Sequence, residues 1–381
     1  MQELSKKEGG VCEDGRGRDE SSSETLREEG RDSFSGSGEH NEHREEFCEA
    51  PNLASLNPRL LARFERQKEK EKRLTREQKE GFFGLPLKIP IKFDEPLSRY
   101  TTIGIGGPAE SFAIVDSVDE LKIVLGFVSE QMIDFHVLGG GSNTLIKDGG
   151  LRGLIIKLGD GFDTIVVDRT IDNDVYVSVG SATPTQRLVK WAADEGFAGL
   201  EFLAGVWGTV GGNLVGNAGT NTGSIGDVVE ELTLVSREQR ELTMKKQALK
   251  FEYRNLKITR TATIVKTLFK LTRSTPSDVH SKVATLMEKR RATQPVGVRS
   301  LGCTFKNPGK TSAGVLIEDA LLKGVRVGGA RVSTVHANFI VNEGNATARD
   351  FTVLMNLVRE RVKESSGVVL ETEIEIIGEE L

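Results

Sequence analysis

Three glycine-rich stretches contain the residues of this chain whose types and spacing could do chemistry. They lie at residues 104–108, 138–144 and 205–219. Because glycine has no Cβ, successive backbone N–H groups in such a stretch can converge on one phosphate oxygen. The hydroxyl and amide groups of residues 142–144 add further donors at the same place. A single glycine run is often only a turn, but two long runs with such donors favour a dinucleotide or pyrophosphate site.

None of these stretches matches the G-x-G-x-x-G pattern of ordinary dinucleotide-binding proteins. In the run at 138–144, Thr144 stands where the third glycine is required, and no helical pattern follows it. That pattern works by placing the pyrophosphate at the N-terminus of a helix directly after a strand. The sequence therefore disfavours a Rossmann site for NAD.

The composition of the whole chain excludes several classes of protein. Its 381 residues include 51 Lys and Arg against 56 Asp and Glu, a formal net charge of −5. Nucleic-acid-binding proteins usually carry a basic excess, so we expect no nucleic-acid partner. No apolar run is long enough to span a membrane, and the N-terminus lacks the apolar segment of a signal peptide. Three cysteines without a C-x-x-C pair argue against a disulfide framework, and we predict no metal site and a cytoplasmic location.

The first 80 residues differ in character from the rest. Residues 1–50 are acidic and poor in apolar side chains, a composition typical of disorder. Residues 51–80 are basic, and apolar residues recur at helical spacing from Leu53 to Phe64. We interpret residues 1–80 as a charged, disordered extension with one candidate short helix. That helix could bind a partner; a plain charged linker is the alternative.

From Leu85 onward, short β-branched runs alternate with helical patterns and predict an α+β fold, with a break near Thr272–Pro276. The predicted strands are Ser111–Val115, Phe135–Leu138, Leu154–Leu158, Val175–Val179, Leu232–Val235, Ala262–Leu271 and Val368–Ile377. The predicted helices are Leu121–Val128, Leu188–Ala193, one with Val279, Val283, Leu286 and Met287 on one face, and one with Phe351, Leu354, Met355, Val358 and Val362 facing inward.

These motifs together resemble one known family. The segments YTTIGIGGPA, VLGGGSNTLIKD, GLEFLAGVWGTVGGNLVGNAG, FEYRN, RRATQP, GCTFKNP, AGVLIEDALLKG, HANFIVN and LETEIEIIG occur in the order seen in UDP-N-acetylenolpyruvoylglucosamine reductases. The resemblance covers roughly Leu85 to Glu379. Only seven residues separate Arg254 from the next predicted strand. The chain therefore resembles the class of the family that lacks a tyrosine-bearing insertion there.

The resemblance implies a fold and a cofactor. It implies an FAD-binding domain of the vanillyl-alcohol oxidase type over residues 81–273, with lobes at about 81–160 and 161–273, and a substrate-binding domain over 274–381. The FAD would be noncovalent, because neither glycine run offers a His or Cys for attachment. The implied cofactor-binding residues are Gly139, Gly140, Gly141, Ser142, Asn143 and Thr144 at the pyrophosphate, and Gly205, Gly208, Thr209, Gly211, Gly212, Asn217, Ala218 and Gly219 along the isoalloxazine and phosphates.

The resemblance also implies a reaction. Members of the family reduce the enolpyruvyl ether of a UDP-N-acetylglucosamine derivative to UDP-N-acetylmuramate, with FAD and NADPH, for peptidoglycan and hence for cell-wall growth, cell shape and division. By position in the motifs, Arg254 is the catalytic arginine and Glu373 the catalytic glutamate. An arginine fork suits a carboxylate and the negative charge that develops beside it. Without the motifs, a surface ion pair would be the alternative for Arg254 and an acidic strand edge for Glu373.

Cys303 takes the proton-donor position, where many relatives carry serine. An ordinary thiol has a pKa near 8.5, so it stays protonated at neutral pH and is a far better acid than an alcohol. A buried structural cysteine is the alternative. The resemblance further implies substrate contacts for Lys306, Asn307 and His336, although a satisfied core histidine is an equal interpretation of His336. Many relatives carry a basic residue at the position of Glu375, which puts substrate contacts there in doubt.

Other interpretations remain open at this point. Arg290 and Arg291 could contact the nucleotide diphosphate or simply carry charge at a helix C-terminus. The same fold could serve a flavin oxidase acting on a sugar or an alcohol. A third alternative is a non-catalytic flavin- or nucleotide-binding module whose N-terminal extension recruits a partner. Spacing alone does not separate NADPH from NADH.

Overall fold

The computed structural model describes residues 73–258, 261–309 and 311–381. The candidate helix between Leu53 and Phe64 lies outside these ranges. None of the helices in the described ranges is both long and apolar enough to cross a bilayer. Three sheets with their covering helices make up most of the described chain.

The first sheet is mainly parallel and is covered on both faces. Its strand order is β1-β2-β5-β3, with β1 antiparallel to β2 and the other pairs parallel. The ranges are β1 Lys92–Pro96, β2 Pro108–Val115, β3 Phe135–Val137 and β5 Leu151–Leu158. One face packs on helix α2, Val118–Glu130, and the other on a cluster around Phe112 and Ile155. Burial on both faces explains why the centres of the two strands, Phe112–Val115 in β2 and Leu154–Ile156 in β5, are continuous apolar runs rather than alternating ones.

The folded part begins before the boundary predicted at residue 81. Helix α1, Arg76–Phe83, starts at a capping box formed by Thr75 and Gln78. Phe82 is buried against Phe127, with ring centroids 4.7 Å apart. The N–H of Leu74 donates to the buried carboxylate of Glu110 at 2.8 Å. The end of the charged segment is therefore anchored to the first sheet.

The second sheet is antiparallel. Its order is β12-β11-β15-β7-β6, and a short strand, β8, also pairs with β15. The ranges are β6 Ile165–Ile171, β7 Asp174–Gly180, β8 Phe197–Ala198, β11 Val229–Val235, β12 Glu241–Lys245 and β15 Thr263–Arg273. Helix α3, Thr185–Asp194, packs Leu188, Val189 and Ala192 into its core. Short elements beside this sheet are α4 Val210–Val215, β9 Gly219–Thr220, β10 Gly223–Ser224, α5 Ile225–Val228, β13 Phe251–Glu252 and β14 Asn255–Leu256.

A strand gives way to a helix at the position of the predicted break near Thr272–Pro276. Strand β15 ends at Arg273, and helix α6, Pro276–Thr293, starts with Thr275 as its N-cap and proline in its first turn. Val279 is buried, and Val283, Leu286 and Met287 pack on the core of the second sheet, as the helical spacing predicted. Short 3-10 turns lie at Leu97–Tyr100, Asp160–Phe162, Glu201–Leu203 and Lys246–Ala248.

The C-terminal part forms the third sheet, with the antiparallel order β16-β19-β18-β17. The ranges are β16 Arg299–Cys303, β17 Arg326–Val327, β18 Ala330–Val332 and β19 Phe339–Asn342, with helices α7 Ala313–Asp319 and α8 Ala348–Ser366. The predicted inward face of α8 is confirmed: Phe351, Leu354, Met355, Val358 and Val362 are all buried.

The strand predicted over Val368–Ile377 is wrong for most of its length. Only Glu375–Ile377 forms a strand, β20, which pairs in parallel with β4, Thr144–Ile146. Upstream, Thr372 makes a single bridge to Phe305. The segment thus bonds first to the C-terminal part and then to the first lobe. Because the segment changes its hydrogen-bond partner between Thr372 and Glu375, it does not form one continuous strand.

Asp148 links the first lobe to the start of α8. Its two carboxylate oxygens accept the N–H groups of Ala348 and Arg349 at 2.9 and 3.0 Å. An anion at a helix N-terminus satisfies unpaired donors and complements the helix dipole. We expect Asp148→Ala to lower the free energy of unfolding by about 1–2 kcal/mol in urea titrations. Glu360→Ala, at an exposed position of the same helix, is the control and should stay within about 0.5 kcal/mol; equal losses would contradict the capping role.

Candidate active site

Arg254 is presented by a tight hairpin. Strands β13 and β14 are joined by Tyr253 and Arg254 alone, and Arg254 has φ +57°, in the left-handed region that non-glycine residues rarely adopt. Its Nη1 donates to the carbonyl oxygen of Gly219 at 3.0 Å. The side chain is only 25% exposed. A strained backbone conformation that points an arginine into a partly buried position is typical of functional sites.

Glu373 is positioned by two different parts of the chain. Its backbone N–H donates to the carbonyl of Thr304 at 2.9 Å, and its carbonyl accepts from Nδ2 of Asn143 at 3.3 Å. The N–H of Glu375 donates to the carbonyl of Asn143 at 2.9 Å. The segment around Glu373 therefore lies between the end of strand β16 and the glycine run at residues 138–144, which we call the first glycine loop, and the side chain of Glu373 is largely buried there.

An acidic strand edge, with Glu371, Glu373 and Glu375 on one face by regular alternation, is the alternative interpretation of Glu373, and the structure corrects it. The side chain of Glu371 is 76% exposed, whereas that of Glu373 is 14% exposed. The reason is that residues 371–374 are not a regular strand, so the period of two does not apply to them. Glu371 instead accepts a hydrogen bond from the ammonium group of Lys306 at 3.4 Å.

Arg254 and Glu373 form an ion pair, with 2.6 Å between Nε and Oε1. The Nε–H vector does not meet hydrogen-bond geometry towards any described acceptor, so the contact is electrostatic rather than a directed bond. Burial raises the pKa of Glu373 above its ordinary value, and the charge of Arg254 opposes that rise. The pair thus places a carboxylate and a cation side by side in a partly dehydrated site.

Cys303 ends strand β16 and lies beside this pair. It retains some solvent exposure although protein atoms surround it densely. Burial, followed by the negative charge of Glu373, raises the pKa of its thiol to about 12, while Arg254 and Arg290 act in the opposite direction. The thiol is therefore fully protonated at neutral pH. The ordinary value near 8.5 expected from the sequence is too low for this environment.

The raised pKa predicts that Cys303 resists alkylation. Because only the thiolate reacts and its fraction falls tenfold per pKa unit, we expect iodoacetamide at pH 8 to modify Cys303 about 10³-fold more slowly in the native protein than in the unfolded protein. Mass spectrometry of the peptide containing Cys303 measures both rates. Native labelling at the unfolded rate would contradict the raised pKa.

Arg290 is the arginine whose place the sequence left open. Its Nη1 donates to the carbonyl of Gly205 at 3.3 Å, and its charge acts on both Cys303 and Arg254. Burial lowers the pKa of its guanidinium. Arg291 is exposed. Of the two arginines in RRATQP, Arg290 therefore belongs to the site, which we call the catalytic cluster: Arg254, Glu373, Cys303 and Arg290.

The two long glycine runs meet face to face. A Cβ at Gly140 would lie 2.7 Å from Cα of Gly208, and one at Gly139 would lie 3.0 Å from Oγ1 of Thr209. Ser142 Oγ donates to the carbonyl of Trp207 at 3.2 Å. Larger residues at these glycines would separate the loops. The sequence predicted two phosphate-binding loops, and in the structure they form one surface.

The backbone N–H groups of the first glycine loop, residues 138–144, include several that make no hydrogen bond to a described residue. Within the described residues, the N–H groups of residues 139–143 have no hydrogen-bond acceptor. Gly141 has φ +56°, and a Cβ there would collide with the carbonyl of Tyr100. Five successive free donors in a glycine turn fit the oxygens of a pyrophosphate. The loop therefore has the chemistry that the FAD pyrophosphate requires.

The remaining residues of the second run make mostly structural contacts. Gly211 packs on Ser181, and Thr209 caps helix α4 by accepting from the N–H of Gly212. Asn217 bridges the backbones of Glu252 and Gly226 at 2.8 and 3.2 Å. Ala218 packs on the core of the second sheet, and the carbonyl of Gly219 accepts from Arg254. Residues 217–219 thus support the hairpin of Arg254, a role that the sequence did not reveal.

The three residues predicted to contact substrate lie in different surroundings, and only Lys306 is near the catalytic cluster. Lys306 lies near Glu373, whose pKa its charge lowers. Asn307 accepts the N–H of Ala313 at 3.0 Å and so holds the start of α7. His336 packs on Phe339 and its Nδ1 accepts the N–H of Asn338 at 3.2 Å, while burial lowers its pKa. No described contact joins His336 to the catalytic cluster, and its contacts are those of a satisfied core histidine.

Asn338 was not singled out from the sequence. Its Oδ1 accepts from the N–H of Phe305 at 2.9 Å and its Nδ2 donates to the carbonyl of Phe305 at 2.8 Å, both in a buried position. This pair of hydrogen bonds fixes the backbone between Cys303 and Lys306. In the described residues, no group of three or more His, Cys, Asp or Glu side chains could hold a metal ion.

Two known protein families match parts of this chain. The "UDP-N-acetylenolpyruvoylglucosamine reductase, C-terminal domain" matches residues 294–377. The "FAD binding domain" matches residues 109–244. The first range contains Cys303 and Glu373, and the second contains both long glycine runs. The two matches therefore cover the surface formed by the loops and two of the four residues of the catalytic cluster.

Individual relatives extend over most of the chain. The UDP-N-acetylenolpyruvoylglucosamine reductase of Desulfosudis oleivorans is 42% identical over 76% of this chain and 95% of its own length. That of Geobacter metallireducens is 39% identical over 77% of this chain and 96% of its own. The crystal structure of the enzyme from Thermus caldophilus superposes with a TM-score of 0.66 at 33% identity, over 76% of this chain and 99% of that one. This confirms the expected α+β fold, a two-lobed FAD-binding domain with a C-terminal substrate-binding domain, and the chain belongs to the UDP-N-acetylenolpyruvoylglucosamine reductase family.

Proposed function

We propose that this protein is the flavoenzyme that reduces the enolpyruvyl ether of UDP-N-acetylglucosamine enolpyruvate to UDP-N-acetylmuramate, with NADPH as cosubstrate. The observation that carries the proposal is the convergence of Arg254, Glu373 and Cys303, which are distant in sequence, with 2.6 Å between Arg254 Nε and Glu373 Oε1. The names of the relatives support the substrate. The product is a cell-wall precursor, and we place its synthesis in the cytoplasm.

The surface formed by the two glycine loops would hold FAD. The free N–H groups of residues 139–143 would bind its pyrophosphate, and the segment from Gly205 to Gly212, beside Arg290, would lie along the rest of the cofactor. When bound, FAD supplies the hydride that NADPH has donated. The remaining chemistry belongs to the residues of the chain.

Arg254 would bind the substrate carboxylate. Its guanidinium is held by Gly219 and Glu373 but keeps further N–H donors, because arginine has five. Addition of hydride to the vinyl carbon places negative charge on the neighbouring carbon and its carboxylate. A fixed cation at that position stabilises the charge most where water is excluded. Glu373 keeps the guanidinium oriented and contacts the enol ether.

Cys303 would donate the proton. The proton leaves Sγ and forms a C–H bond to the carbon beside the carboxylate, which completes the reduction when combined with the hydride. The raised pKa keeps the thiol protonated at every physiological pH. The thiolate left behind lies in the field of Arg254 and Arg290, which favours its formation. A proton from solvent then restores the thiol.

The test of this function is product formation by the purified protein. We expect UDP-N-acetylmuramate, two mass units heavier than the enolpyruvyl nucleotide by addition of a hydride and a proton, at one equivalent per NADPH oxidised. A flavin oxidase of the same fold would instead consume oxygen with a sugar or an alcohol. Oxygen consumption with such a substrate, and no reduced nucleotide, would overturn the proposal. A flavin-binding module without catalysis would yield neither.

A further inference from the structure

Lys157 lies directly behind the first glycine loop. It stands near the end of β5, whose neighbour β3 leads into that loop. The N–H of Leu138 donates to the carbonyl of Ile156 at 2.9 Å, which keeps the start of the loop beside the strand. The ammonium group of Lys157 donates to the carbonyl oxygen of Gly139 at 3.4 Å. Its charge is therefore next to the first of the five free N–H groups.

The charge of Lys157 has no counterion in the described part of the chain. No carboxylate there lies within ion-pair distance of its Nζ, whereas Lys88 and Lys270 pair with Asp116 and Asp174. The side chain is half-buried, and burial lowers the pKa of the ammonium group. A dehydrated cation without a partner costs free energy in the ligand-free protein. An anion bound in the adjacent loop would offset that cost.

We propose that Lys157 is a cofactor-positioning residue, whose ammonium group holds the Gly139 carbonyl and supplies the positive charge that the pyrophosphate of FAD meets in the loop. This inference rests on the proposed placement of FAD. The backbone N–H groups provide directed donors for phosphate oxygens, but they carry only partial charge. A bound pyrophosphate carries about two negative charges, and one full positive charge on the residue behind the loop would stabilise it in a partly dehydrated site.

The proposal predicts that removing the charge of Lys157 does not destabilise the apoprotein but weakens the binding of FAD. Lys157→Met preserves the length of the side chain and removes its charge. The apoprotein of this variant should melt at the same temperature as the wild type or higher, because a half-buried cation without a counterion has been removed. Its affinity for FAD should fall about 10–100-fold, the value of a charge-assisted contact. Its affinity for riboflavin, which has no phosphate, should not change.

The experiment is a fluorescence titration of deflavinated protein with FAD and with riboflavin, at low and high salt. Lys157→Arg keeps the charge and should retain FAD affinity within about threefold. Lys266→Met, at an exposed position of β15, is the matched control and should behave as the wild type. The wild-type advantage over Lys157→Met should shrink at high salt, because ions screen the charge. Thermal melting of each apoprotein completes the set.

Two results would overturn the inference. The first is FAD affinity of Lys157→Met within twofold of the wild type. The second is a lower apoprotein melting temperature together with equal losses for FAD and riboflavin, which would make Lys157 a purely structural residue. In both cases the wild type still binds FAD, so the proposed function stands. If the wild-type apoprotein takes up no FAD at all, the proposed function falls as well.

Discussion

Cys303→Ala is expected to lower kcat by about 10³–10⁴-fold, at the upper end of the effect of a positioned general acid. We expect no other proton donor in the catalytic cluster, because its other members are two arginines, which serve as cations rather than acids in proteins, and Glu373, which is paired with Arg254. Steady-state turnover at saturating substrate measures the loss. Flavin binding should remain, since Cys303 does not belong to either glycine loop.

Cys303→Ser is the matched control for this experiment. The hydroxyl occupies nearly the same space and can donate a proton, so we expect it to retain far more activity than the alanine variant. The thiol has a pKa of about 12, which brings it closer to a serine hydroxyl than an ordinary cysteine would be. A Cys303→Ala variant with unimpaired turnover would remove Cys303 from the mechanism.

Arg254→Ala is expected to reduce kcat/KM by about 10²–10³-fold, the loss seen when a group that stabilises a developing anion is removed. The substitution removes the clamp for the carboxylate and leaves the carboxylate of Glu373 without its cation. Arg254→Lys keeps the charge but not the fork, and should recover only part of the loss. Arg291→Ala, which removes an exposed arginine, is the control and should change kcat/KM by less than about twofold.

The Arg254→Ala variant also has a distinct pH signature. Burial raises the pKa of Glu373, and Arg254 at present opposes that rise. Without Arg254 the pKa of Glu373 must rise further, so the ionised form is lost at a higher pH. The acidic limb of kcat/KM should therefore move to higher pH in the variant. An acidic limb at the wild-type position would show that the ionisation of Glu373 does not control the rate.

The regular elements could be predicted because each has one dominant signal. Strand β5 has an apolar run at its centre, Leu154–Ile156, and α8 repeats its apolar residues at helical spacing, so local pattern and tertiary packing agree. The segment 368–377 also has β-branched and apolar residues at both ends, yet most of it is not a strand. Its hydrogen bonds go to Thr304 and Asn143 in two different parts of the fold, and local pattern contains no information about such a change of partner.

The candidate site could be predicted as a set of residues but not as a geometry. The motifs singled out Arg254, Cys303 and Glu373 one by one. Their contact depends on a left-handed residue in a hairpin and on a tail inserted between two domains, which periodicity does not reveal. The pKa of Cys303 depends on burial, and burial is a property of the folded chain. Lys157 escaped notice for the same reason, since in sequence it is one basic residue at the end of a strand.

The most direct measurement of the central claim is an anaerobic titration of the purified flavoprotein followed by visible absorbance. NADPH is added first and UDP-N-acetylglucosamine enolpyruvate second. We predict that NADPH bleaches the flavin band and that one equivalent of the enolpyruvyl nucleotide restores it. A flavin that is bleached by NADPH but stays bleached after the nucleotide is added would contradict the assignment of the substrate.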